Sequence, residues 1–127
     1  MTLEEGKRKV VLLLEGYAGE GEIEVDADIA LKMNDFFDIA QKDVALWQHL
    51  PTPATITADT DGAYEFEVSE EAANCLPFFV AAQHLLSEPE IDYGAFYNLY
   101  LQMRALLPRD GGDVKRGYVR QALFRRG

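Results

Sequence analysis

Two histidines and one cysteine carry the side chains that could serve as proton shuttle, nucleophile or soft metal ligand. His49 stands two residues after Trp47 at an expected helix end, where a cation is favourable. A metal site needs several suitably spaced ligands, so His49 reads as a helix-end residue. Cys75 and His84 are nine residues apart on a helical stretch. That is a rotation of about 900°, which sets them on opposite faces of an unbroken helix and argues against a Cys–His pair. A kink at Pro77 is the one way around that geometry. Cys75 therefore reads as a small buried apolar residue. Asp59-Thr60-Asp61-Gly62 resembles a fragment of a calcium loop. With Gly62 in the glycine position, however, Thr57 and Val68 fall where Asp and Glu are required, so the run reads as a turn. Gly16, Gly19 and Gly21 lack the dinucleotide spacing, a preceding strand and a following Walker lysine. The pairs Glu65/Glu67 and Glu70/Glu71 read as solvated or helix-start charges, and no two carboxylates stand out as acid and base. The expectation is a protein that is not an enzyme, with no catalytic or metal residues and no cofactor.

Aromatic and basic residues carry a different signal. Phe78, Phe79, Tyr93, Phe96, Tyr97 and Tyr100 crowd two consecutive helical segments. Two readings compete: ordinary helix packing, or a subunit interface, where Tyr, Phe and Met are enriched. The last residues interleave Arg116, Arg120, Arg125 and Arg126 with Tyr118, Val119, Leu123 and Phe124. Such a segment is too apolar to be only a solvated tail. The expected interface set is Arg109, Lys115, Arg116, Tyr118, Arg120 and Phe124 with Tyr97 and Tyr100.

The elements that must position these residues follow from periodicity. Thr2 and Glu5 have capping-box spacing, opening a helix to about Tyr17 with Leu3, Val10, Leu13, Leu14 and Tyr17 on its apolar face. A second helix, capped by Asp26 or Asp28, carries Ile29, Met33, Phe36, Phe37, Ala40, Val44 and Trp47 and stops before Pro51. Thr55-Ile56-Thr57 and Tyr64-Glu65-Phe66-Glu67-Val68 flank the Asp59–Gly62 turn and predict a short β-hairpin at about 54–68. Ser69 caps a third helix to about Leu86, with Pro77 either kinking it or opening a new one. After the Ser87–Glu90 loop, a fourth helix runs from Asp92 to Leu107 with Phe96, Tyr100, Met103 and Leu107 on one stripe. The fold class is mainly α (α+β): a four-helix body with one hairpin over 1–108, then a joint at Gly111-Gly112 and a basic arm over 109–127.

With 127 residues, 48% apolar and 27% charged, the chain fits one ordinary globular domain. The longest apolar run, Cys75 to Ala82, is too short for a membrane span, so no membrane partner is expected. The start lacks an apolar signal core and one cysteine forms no intramolecular disulfide, which predicts an intracellular, cytoplasmic product. The net charge of −10 is unevenly placed. Residues 1–108 hold 6 Lys/Arg against 20 Asp/Glu, whereas residues 109–127 hold 6 against 2. The acidic body repels nucleic acid and anionic membrane, while the arm suits an acidic neighbour or a phosphate backbone.

Three stretches together carry a resemblance. They are Thr2-Leu3 through Val10–Glu15, Ala63–Ser69, and Leu76-Pro77-Phe78-Phe79-Val80-Ala81-Ala82 leading to Phe96–Met103. The pattern resembles small virion structural proteins of phages and prophages of Gram-positive bacteria, grouped with head–tail connector (adaptor) proteins. The resemblance spans most of 1–108. Those relatives have a longer β-rich segment where this chain has only Pro53 to Asp61, so the contacts of that segment do not carry over. The resemblance implies a homo-oligomeric ring, portal and tail proteins as partners, and a place first in the cytoplasm and then in the virion neck; the basic arm adds phage DNA as a candidate contact. The charge asymmetry suits a ring independently, because acidic body and basic arm are complementary head to tail. The other reading is a small cytoplasmic binding or regulatory module that uses its basic tail or its aromatic helix pair.

Overall fold

A computed structural model of the chain describes residues 1–18, 27–85 and 94–109, with the side chains of 16–31 outside the description. The fold is mainly helical: α1 (Leu3–Ala18), α2 (Ala27–Trp47), the single turn α3 (Glu70–Ala73), α4 (Leu76–Leu85) and α5 (Gly94–Ala105). α4 has almost no polar side and must be enclosed. It is packed by α1, α2 and α5, and Leu76, Pro77, Val80, Ala81, Ala82, His84 and Leu85 are all buried.

The helix starts follow the capping signals. Thr2 N–H donates to Glu5 Oε1 at 2.8 Å and Glu5 N–H to Thr2 Oγ1 at 3.2 Å, a reciprocal capping box. The first of these bonds holds the Glu5 carboxyl below the usual carboxylate range. Ser69 Oγ accepts from Ala72 N–H at 3.1 Å and opens α3. The two alternatives at Pro77 resolve as a new helix: α3 ends, Asn74 and Cys75 turn, and Pro77 sits in the first turn of α4, where no N–H is needed. Asp26 and the Ser87–Glu90 loop lie outside the described residues, as do the side chains of Asp28, Tyr17 and Ile29.

The predicted hairpin is not seen. Among the described residues there is no strand, only an isolated antiparallel bridge between Thr2 and Glu65. The run at 64–66 pairs with the start of the chain: Leu3 N–H donates to Tyr64 O at 2.8 Å and Phe66 N–H to Met1 O at 3.1 Å. The run at 55–57 is held by α2. Ile56 N–H donates to Asp38 Oδ1 at 2.9 Å and Asn34 Nδ2 to Thr57 O at 2.7 Å. Gln41, fully buried, receives Glu67 N–H on Oε1 at 2.5 Å and donates to the Tyr64 hydroxyl at 3.2 Å. Asn34, Asp38 and Gln41 recur at helical spacing on one face, so α2 supplies the bonds that a sister strand would otherwise make. In place of one turn at Asp59–Gly62 the loop makes two, with Thr60 N–H donating to Thr57 O at 3.1 Å and Tyr64 N–H to Asp61 O at 3.0 Å.

Beneath that segment, Phe37 and Phe66 meet at 5.4 Å between ring centroids. α1 approaches them at Gly6, where an added Cβ would stand 3.1 Å from Phe37 Cε1 and Cζ and 3.2 Å from Phe66 Cε2. Gly6→Val is therefore expected to destabilise the fold by about 1–3 kcal/mol through overpacking. A urea titration reads this as a lower midpoint with unchanged slope; an unmoved midpoint would mean that the two rings can yield.

Candidate interaction surface

α2 ends in a Schellman turn, with Leu50 N–H donating to Ala45 O at 2.8 Å and His49 N–H to Leu46 O at 3.1 Å. The position that usually carries glycine is His49, at a φ of 62°. Histidine enters this left-handed region more readily than most residues, and here its ring meets the end of the described chain. Arg109 Nη2 lies 3.2 Å from His49 Nε2, and the Arg109 guanidinium rests 4.2 Å from the centre of the Trp47 ring. Arg104 lies 4.6 Å from the same ring centre. Its Nη1 donates to Asp43 Oδ2 at 2.8 Å, an oxygen that also accepts from the Tyr100 hydroxyl. Gln48 is buried and donates through Nε2 to Pro108 O at 2.9 Å. These contacts fasten the chain from the end of α5 to Arg109 onto the end of α2.

Of the interface residues expected from sequence, Arg109 joins this clasp. Tyr100 is a core residue rather than a surface one: it is 1% exposed and its ring packs on Phe79 at 5.2 Å. Every fourth residue of that stripe faces inward, and the Asp43 carboxylate offers its hydroxyl a buried partner. Tyr97 is half-buried and stacked on Tyr100 at 6.3 Å. Lys115, Arg116, Tyr118, Arg120 and Phe124 lie outside the described residues.

Among the described residues, open apolar surface lies on α1, α4 and α5 and, with Ile39 and Leu46 exposed, on α2 as well. A groove of about 480 Å³ is lined by Lys9, Leu12, Leu13, Asn74, Pro77, Phe78 and Met103. Leu12 stands at its wall 61% exposed. Leu99 on α5 is exposed, as is Leu106 in the turn that follows Ala105, and Met103 between them is half-buried. The sequence places Met103 on one stripe with Phe96, Tyr100 and Leu107, and the structure packs it, half-buried, against the core. The signal for the exposure of Leu99 is its offset from Phe96 and Tyr100, which fill the inward face of α5.

Charge is as uneven as it is along the chain. Between Lys42 and Arg104 there is no lysine or arginine. Asp59, Asp61, Glu65, Glu67, Glu70 and Glu71 are all exposed within that span. Cys75 is buried, and burial pushes its thiol up to about 11, so it stays protonated. Among the described residues no group of three or more His, Cys, Asp or Glu could hold a metal ion, and no helix is long and apolar enough to cross a membrane.

Burial, and next the bond to Asp43, push the Tyr100 phenol far above its ordinary value. The neutral phenol's contribution is thus complete below about pH 10 and drains away as the pH rises toward the folded-state value. Stability should fall in alkali, and Tyr100→Phe should flatten that fall while Tyr64, also raised by burial, leaves a residue of it. Urea midpoints between about pH 8 and about pH 11 test this; parallel curves for the two proteins would assign the loss to other groups. In comparisons with known proteins, the chain matches no family model, no curated protein and no solved structure.

Proposed function

We propose that this chain is a non-catalytic structural subunit that assembles with copies of itself into a ring, as a head–tail connector of a phage or prophage. Portal and tail proteins, and phage DNA at the basic arm, are the partners this reading implies; the virion neck is its place. The observation that carries the self-assembly part is the pairing of unlike surfaces on one chain. A helical body with exposed Leu12, Leu99 and Leu106 and a span of 61 residues without a cation stands beside an arm rich in arginine and aromatic residues. Complementary patches at different places on a subunit make a heterologous contact, which closes into a ring when its rotation permits. The assignment to a connector rests on the sequence resemblance.

Electrostatic attraction between arm and body weakens with salt, because surface charges are screened within about 8 Å at physiological ionic strength. Light scattering after gel filtration should find an oligomer at low salt that shrinks at high salt. Reversing Arg116, Arg120 and Arg125 to Glu should abolish it. An oligomer untouched by that triple reversal would remove the arm from assembly, and a monomer under every condition would remove self-assembly altogether.

A further inference from the structure

We propose that Asp61–Gly62 is a self-modification site, at which the folded chain converts Asp61 into isoaspartate and thereby loosens the start of α1.

The pair sits in the loop that abuts the first turn of α1, with Asp61 exposed and Gly62 half-buried. Ala63 N–H donates to Asp61 Oδ1 at 2.7 Å, and Tyr64 N–H to Asp61 O at 3.0 Å. The first bond closes an Asx turn, which folds the carboxyl over the following peptide and brings Cγ toward the Gly62 nitrogen. Groups held in this way are spared much of the entropy cost of meeting. The Ala63 N–H also lies where negative charge gathers on Oδ1 once Cγ is attacked. Among the described residues the Gly62 N–H has no hydrogen-bond partner, and glycine has no Cβ to shield it. Asp59 is exposed as well, but the branched side chain of Thr60 crowds the same approach there.

The step balances with water alone. The Gly62 nitrogen bonds to Cγ of the protonated carboxyl, and the carboxyl hydroxyl leaves with the amide proton as water, giving a cyclic imide. Water then adds to either imide carbonyl. Opening at Cγ restores Asp61. Opening at the former main-chain carbonyl leaves the backbone running through the side chain, one methylene longer. That length matters because Gly62 is pressed against α1. Its carbonyl accepts from Glu4 N–H at 2.9 Å, and a Cβ built on it would stand 3.2 Å from Glu4 Cβ. Glu4 lies between the two residues of the Thr2/Glu5 capping box, so parting the loop from Glu4 disturbs the helix start.

The test ages the full chain in warm neutral buffer and maps its peptides by electron-transfer fragmentation, which tells isoaspartate from aspartate at each position. Isoaspartate should grow at Asp61 in the folded chain at least as fast as in chain unfolded by guanidinium chloride. Ageing in heavy-oxygen water should add one labelled oxygen there. Asp61→Ser keeps an acceptor for the Ala63 N–H without a carboxyl and should remain unlabelled at that position. Modification of Asp61 in the unfolded chain alone would overturn the proposal. So would modification confined to Asp110–Gly111, the other Asp-Gly pair in the sequence, which lies outside the described residues. Chains carrying isoaspartate at 61, separated by chromatography, should unfold at a lower urea midpoint than unaged chain, while aged Asp61→Ser keeps its own. An equal midpoint would overturn the loosening of α1.

Discussion

The enclosure of α4 is the constraint on which the rest of this structure depends. Its sequence, Leu76-Pro77-Phe78-Phe79-Val80-Ala81-Ala82-Gln83-His84-Leu85, has too little polar surface to lie on the outside of a domain. α1, α2 and α5 each contribute a face to cover it, and Ala81 and Ala82, fully buried, let the neighbouring backbones come close. Coverage is least complete at Phe78, Phe79 and Gln83, which are only half-buried. Pro77 and Phe78 form the floor of the groove that Leu12 and Met103 flank. The same demand that organises the core thus leaves an apolar opening, with exposed Leu12 at its wall.

α2 answers a second demand, that of the extended connection from 51 to 68. Two strands alone are marginal in water, and this connection takes another route to satisfying its backbone. Asp38 and Gln41 accept amides from Ile56 and Glu67, and Asn34 donates to the carbonyl of Thr57. Lys42 adds bonds to Asp38 at 3.1 Å and to Thr55 at 3.0 Å. Buried side-chain bonds of this kind are costly to leave half made, which ties the connection to α2 and not only to its own turn. Phe66, fixed in this way, closes the core over Phe37.

The Trp47 clasp belongs to the boundary between body and arm. Two guanidiniums on one indole, a shared carboxylate at Asp43 and a histidine in a left-handed backbone position concentrate several individually modest interactions at one corner. They hold the chain down as far as Arg109 against the end of α2.

Local chemistry was legible in the sequence. The Thr2/Glu5 box, the Ser69 cap, the stop before Pro51 and the apolar periodicity of α1 and α2 are interactions among residues a few positions apart, and each side chain states its preference directly. The burial of Cys75 was legible for the same reason, because an apolar stretch around a small thiol has few other places to go. What only the tertiary structure decided was partnership at long range. The alternation Tyr64–Glu65–Phe66 announces an extended chain, but not whether its amides meet a sister strand, the chain's own beginning or the polar row on α2. Tyr100 and Leu99 are neighbours in sequence, yet Asp43, 57 residues away, draws one into the core and nothing comparable draws in the other. Periodicity places a residue on a face of its helix; which face is covered depends on what packs there, and that is settled only when α4 has been enclosed.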